Sequence, residues 1–267
     1  MRKLLTAAAL IGLRTRARFN TAARVISQLV IALSASPIFG QTLELDKLVR
    51  AYPDFLVGHN EAEIEWKDGT RMAVSDGKLN KSYDDRLKSA TILDQMVLTY
   101  PKGPLAKPPA LEDDPGRFRN AEFFDKMYGN CDRGETQKKL VTLNWLPNAH
   151  AGVLKVTSVN GVVDSLRAVS DEIDRLPLGL KKFAFPSGGT FNCGVVKDTG
   201  NRSMHAWGAA IDLNTKFSDY WLWSKGKPYQ NRMPTEIVEI FERHGFIWGG
   251  KWGHYDTMHF EYRPELL

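Results

Sequence analysis

Apolar positions recur along this chain with two periods, and the period changes several times. Residues 43–52 carry their apolar side chains at helical spacing, and Pro53 stops the run. Glu61-Ala62-Glu63-Ile64-Glu65-Trp66 then alternates polar and apolar residues, as a strand with one buried face does. Asp68-Gly69 supplies a turn, so Arg71-Met72-Ala73-Val74 is expected to return as the second strand of a hairpin, serving as packing or as an interaction edge. Helical spacing reappears over residues 162–176, where Val163, Leu166, Val169, Ile173 and Leu176 share a face. It appears again over residues 234–244, which open on a proline suited to a first turn and stop at Gly245. Strands are expected at residues 143–147, 153–157, 183–185, 209–213 and 258–262. This order predicts an α+β fold with a small, largely antiparallel sheet flanked by helices and preceded by an N-terminal extension.

The 267 residues are 43% hydrophobic, enough for a sizeable core. The net charge of +5 arises from the first 40 residues, which hold Arg2, Lys3, Arg14, Arg16, Arg18 and Arg24 and no acid. The remainder is close to neutral, so charge offers no argument for nucleic acid. A basic stretch, an apolar run over residues 25–33 and then Ser34, Ala35 and Ser36 have the layout of a secretory signal, with cleavage after Ala35 or near Gly40-Gln41. An organelle transit peptide shares that composition. The apolar run is shorter than the ~20 residues a membrane-spanning helix needs. The chain thus divides into a targeting segment (1–40), an N-terminal region (41–141) and a part carrying the chemistry (142–267). The N-terminal region ends in a proline-rich connector over residues 101–109. The run Glu112-Asp113-Asp114-Pro115-Gly116-Arg117-Phe118-Arg119 reads as a solvated turn, with a substrate groove as the other reading. Cys131 and Cys193 could pair in an oxidising compartment.

Two blocks carry chemistry. Ser203-Met204-His205-Ala206-Trp207-Gly208-Ala209-Ala210-Ile211-Asp212 contains an imidazole and a carboxylate, and Asp256-Thr257-Met258-His259-Phe260-Glu261 contains a second imidazole between carboxylates. A carboxylate among apolar neighbours, as Asp212 is, is costly to bury without a positive partner. Two imidazoles, that carboxylate and a nearby base are the inventory of a catalytic zinc site, which keeps one position open. On a strand, His259 and Glu261 share a face and Phe260 takes the other, while Asp256 needs a bend near Gly253-His254-Tyr255 to reach the site. The helical H-E-x-x-H pattern is absent. Ser203 lacks the surroundings of a nucleophile and fits a cap.

The two blocks resemble the signature of the M15 peptidases, zinc-dependent D-alanyl-D-alanine carboxypeptidases and L-alanyl-D-glutamate endopeptidases acting on the stem peptides of bacterial cell wall. The resemblance covers roughly residues 183–263. It implies His205, Asp212 and His259 as Zn2+ ligands and Asp256 as general base in a metal-assisted hydrolysis. Glu261 would steer an imidazole nitrogen. His254 competes with Asp256 as a proton shuttle, and Trp252 belongs to an aromatic and glycine-rich run that either lines a groove or packs a loop. Tyr220, Trp221 and Trp223 could form the opposite wall. The implied substrate is a peptidoglycan stem peptide met outside the cytoplasm, with neither nucleic acid nor a stable membrane span as partner. Many relatives carry an arginine shortly before the first metal histidine; here Gly194 stands at that place, and Arg202 or Lys197 is left to substitute. A non-catalytic zinc module like the amino-terminal signalling domain of hedgehog proteins is the alternative.

Overall fold

The helix expected over residues 43–52 begins earlier: α1 spans Pro37–Ala51, so Gly40-Gln41 lies within it. The computed structural model describes residues 37–196, 199–224 and 226–267. The leader up to residue 36, together with Lys197, lies outside the described residues. Leu45 and Leu48 of α1, and Tyr52 just beyond it, are fully buried. A three-stranded antiparallel sheet follows, β1 (Leu56–His59), β2 (Glu63–Trp66) and β3 (Arg71–Ala73), in that spatial order. The alternation in β2 works as the sequence suggests, with Ile64 and Trp66 buried while Glu63 and Glu65 stay partly exposed. β1 was not apparent from the pattern, because its four residues include Gly58 and His59.

Two short helices, α2 (Tyr83–Lys88) and α3 (Ile92–Met96), each begin with a reciprocal cap, Ser82 with Asp85 and Thr91 with Asp94. Such caps satisfy amide donors that a helix this short cannot satisfy internally. α4 (Ala121–Tyr128) starts on Asn120, whose side chain accepts from the Phe123 amide. Its residues Phe123, Phe124, Met127 and Tyr128 are buried. The hairpin of β4 (Leu140–Asn144) and β5 (Val153–Thr157) is covered by α5 (Val162–Asp174), whose inward stripe is Val163, Leu166, Val169 and Ile173. α6 (Leu178–Lys181) comes next. Residues 183–185 are not the strand expected of them. They continue a turn, the Phe183 and Ala184 amides donating to Leu180 and Lys181, which leaves those donors unavailable to a sheet ladder.

The last sheet holds β6 (Ala210–Asp212), β7 (Phe246–Trp248) and β8 (His259–Tyr262), with α7 (Thr235–Arg243) running into β7. β8 lies in the centre, antiparallel to both neighbours. Register divides its two faces. Ile211, Phe260 and Trp248 align on the face that packs into the main core, where Phe260 stacks on Phe241 of α7 at 4.0 Å between ring centres. Asp212 stands opposite His259, and Ala210 and Ile247 flank Glu261, on the other face. Directly opposed residues in a ladder share a face, so this register brings the metal-type side chains together. The architecture is the α+β arrangement with a small antiparallel sheet.

Residues 37–267, as far as they are described, form one compact unit. Side chains from both sides of position 141 meet in a single core, which runs from Leu45 and Trp66 through Phe124 and Trp145 to Trp207 and Phe260. Truncating one of the buried tryptophans to alanine typically costs about 3–5 kcal/mol. The proline-rich stretch is tied down by Lys251, whose Nζ donates to the carbonyls of Pro101 at 2.6 Å and Gly103 at 2.5 Å and pairs with Glu242. Among the described residues no helix is long and apolar enough to cross a membrane.

Candidate metal centre

His205 sits on a single 3-10 turn, Met204–Trp207, capped by the Ser203 hydroxyl, which accepts from the His205 amide. The turn is nailed down by Trp207, fully buried against Phe124 and donating from its indole nitrogen to Asp125 Oδ1 at 2.8 Å. Gly188 completes the floor. A Cβ at that position would come within 2.9 Å of the Asp212 Cβ, so glycine is what lets this segment approach β6.

Three donor atoms converge. His205 Nε2, Asp212 Oδ1 and His259 Nδ1 form a triangle with every edge 3.1 Å. Ligands about 2.0–2.1 Å from a tetrahedral zinc stand about 3.3 Å apart, so the triangle has the size of one face of such a shell. The imidazoles are held in opposite tautomers by their outer partners. His205 Nδ1 bonds the Thr190 carbonyl at 2.7 Å, and His259 Nε2 bonds Glu261 Oε2 at 2.9 Å. Each outer bond puts the proton on the far nitrogen and turns a lone pair inward, as metal-binding histidines require. Asp212 and Glu261 are held well below the usual carboxylate range: burial opposes this, but for Asp212 the His205 and His259 imidazoles, and for Glu261 Arg119 and His259, outweigh it. Burial alone would lower His259, yet the bonds to Asp212 and Glu261 carry it up to about 10. Three donor atoms converging on one point beside the Asp212 charge make a place for a cation, and the N/O donor set suits zinc.

Glu261 is also the hub of a buried ionic chain. Arg119 and Arg263 pair with it from two sides, Arg263 pairs onward with Glu265, and Glu265 accepts from the Tyr52 hydroxyl at 2.6 Å. The orientation of His259 is thereby anchored to Tyr52, just beyond the first helix of the fold.

Asp256 lies outside β8, in the bend that the sequence demanded. Its amide donates to the Gly249 carbonyl at 3.0 Å, and a Cβ on Gly249 would fall 2.6 Å from the Asp256 carbonyl. Its Oδ1 is buried without a hydrogen-bond partner. Burial first, and the charge of Asp212 second, push this carboxyl up to about 7. Together with the triad, Asp256 lines a cavity of about 140 Å³ whose wall also includes Ser203, Tyr220, Trp221, Trp252 and His254. Trp252 is nearly buried and donates to the Pro115 carbonyl, so it both packs the loop and faces the cavity. Trp223 is 64% exposed and does not line it.

The facing wall departs from expectation. Arg202 turns away to pair with Asp132 beside the Cys131–Cys193 disulfide and lines a neighbouring cavity of about 400 Å³. Arg117 and Arg119 reach the metal-side cavity instead. They come from the run read as a solvated turn, which is in fact largely buried. Asp114 is fully buried beneath His254, Arg117 is 8% exposed and Phe118 3%. Asp114 pairs with Arg117 and His254, and Arg119 with Glu261, which is why burial of these charges is tolerated. The groove reading of that run held the only signal for these arginines.

A family model described as D-alanyl-D-alanine carboxypeptidase (Peptidase_M15_4) matches residues 197–262, the stretch from just before the capped His205 turn to the end of β8. No curated protein and no solved structure matches the chain. The segment that carries the site is thus similar to the M15 peptidases.

Proposed function

We propose that the protein is an exported zinc peptidase that hydrolyses the stem peptides of peptidoglycan, as a D,D-carboxypeptidase or an L-alanyl-D-glutamate endopeptidase. The observation that carries this reading is the triangle of His205, Asp212 and His259 donors beside the buried, unpartnered Asp256 oxygen. A zinc ion there would supply a water acidified to near-neutral pKa and a Lewis acid for the scissile carbonyl. Asp256 would serve as the base that takes a proton from the attacking water and returns it to the leaving nitrogen, for which a pKa near the working pH is the favourable setting. Arg117 and Arg119 supply positive charge on the facing wall, the role left vacant at Gly194. Glu261 and the Thr190 carbonyl hold the imidazoles in place throughout.

A structural zinc site closes its shell with a fourth protein ligand, whereas the His and carboxylate group here has three members among the described residues. That supports hydrolysis over a hedgehog-like binding role. The Cys131–Cys193 disulfide supports an oxidising compartment, in keeping with export. Purified muropeptides incubated with the zinc-loaded chain test the reading by fragment mass. Loss of terminal D-alanine identifies the carboxypeptidase, release at the L-alanyl-D-glutamate bond identifies the endopeptidase, and intact muropeptides contradict both.

A further inference from the structure

Hydrolysis of an amide to a carboxylate and an ammonium moves two protons from water to the leaving nitrogen. Asp256 accounts for one carrier. The cavity holds a second group built to handle a proton. His254 Nδ1 lies 2.7 Å from Asp114 Oδ2, and the other oxygen of Asp114 accepts from the His254 amide at 2.9 Å. The Tyr83 hydroxyl donates to the same carboxylate and stands 3.2 Å from His254 Nδ1. The ring stacks on Tyr83 at 5.5 Å and stands nearly perpendicular to Trp221 at 4.6 Å, so two aromatic side chains hold it in place. Among the described residues no hydrogen-bond partner of His254 Nε2 is found, and the residue lines the cavity shared by the triad and Asp256. Asp114, fully buried and paired with Arg117, is an ionised acceptor that fixes the Nδ1–H tautomer and leaves a lone pair on Nε2.

We propose that His254, positioned by Asp114 and Tyr83, is a second proton-carrying catalytic residue of this site. This rests on the peptidase reading. The water oxygen bonds to the carbonyl carbon, and its first proton passes through Asp256 to nitrogen. The carbon–nitrogen bond then breaks with its electron pair going to nitrogen. The second proton leaves the hydroxyl of the forming carboxyl group, is taken by His254 Nε2, and is delivered to the departing amine, which exits as ammonium. The charged and titratable groups around His254 are Asp114 and Arg117 from one segment, Tyr83 from α2, and Asp256 with the metal triad across the cavity.

The test uses the full zinc-loaded chain and its His254→Gln and Asp114→Asn variants, assayed on muropeptides across pH. His254→Gln is expected to lower kcat by about 10²-fold, with KM and zinc content within a factor of two of the parent and one ionisation gone from the kcat profile. Asp114→Asn is expected to lower kcat as well, by at least about 10-fold with KM and zinc content unchanged, because an asparagine amide can donate to Nδ1 and turn the ring to the wrong tautomer. Imidazole nitrogen NMR of the zinc-free chain gives a readout independent of turnover: His254 is expected as the Nδ1–H form in the parent, with that preference lost in Asp114→Asn. An active parent with His254→Gln equally active, or with an unchanged kcat profile, overturns this inference alone. A zinc-loaded parent inactive on every muropeptide overturns the peptidase reading and this inference with it.

Discussion

The two walls of the cavity are built in different ways. The metal wall is made almost entirely within residues 203–262, where a capped turn, a three-residue strand and a central strand bring two imidazoles and a carboxylate into a ladder. The facing wall is made from residues 83–119, and its side chains reach the site through pairs far apart in sequence: Asp114 with His254, 140 residues away, and Arg119 with Glu261, 142 residues away. One wall carries the His205, Asp212 and His259 donors and Asp256. The other provides positive charge, the His254 support and part of the Glu261 anchor. A local motif can therefore carry the site's identity while a distant segment sets its electrostatics.

The largest effect is expected on the metal wall. His259→Ala removes a donor from the triangle and frees Glu261 and Asp212 to repel each other, so bound zinc should fall to background with hydrolysis undetectable, as elemental analysis and the muropeptide assay would record. Asp256→Asn comes next, with kcat down about 10²–10⁴-fold and zinc retained. A variant that kept turnover would remove Asp256 from the chemistry.

The facing wall should give intermediate effects that sharpen the contrast. Arg117→Ala is expected to lower kcat/KM by about 10²-fold with zinc unchanged, whereas Arg202→Ala, acting in the neighbouring cavity, should leave kcat/KM within a few-fold. Equal losses in both would assign the anionic partner to the wrong arginine. Glu261→Gln links the walls. It should weaken zinc binding about 10–100-fold, as loss of an outer partner of a ligating histidine does, and a metal titration against a chelator measures it.

The smallest effect concerns acid stability. Asp114 resists burial through bonds from His254, Arg117 and Tyr83, and Asp94 does so through Lys81 and Thr91; both carboxyls are held below their ordinary values. A depressed folded pKa means the stabilisation is fully present above the unfolded value of about 3.9 and is lost as pH falls through the folded value. Denaturant unfolding should therefore lose free energy below about pH 4. Asp114→Asn should cost about 1–3 kcal/mol at neutral pH and show a shallower acid decline than the parent. A parallel decline in both would remove Asp114 from that account.

The same contrast explains what the sequence made legible. β8, the bend before it, the α5 stripe and the Gly245 stop are written in local spacing, and so is the pairing of His259 with Glu261 on one face. β7 was hidden because Phe246-Ile247-Trp248 runs straight into glycines and a tryptophan and has no alternation to read. The segment 183–185 has strand-like residues, yet its amides are already spent in the turn after α6. The charged run 112–119 looked solvated because its partners lie in a different part of the chain. Burial of a charge is decided by its partner, and partner identity at a separation of 140 residues leaves no periodicity behind.

The most direct test of the account is the zinc content of the purified full chain beside His205→Ala, measured by elemental mass spectrometry after dialysis against trace zinc. The account predicts about one zinc per parent chain and almost none in the variant. Equal zinc in both, or none in the parent after zinc is supplied, would contradict it.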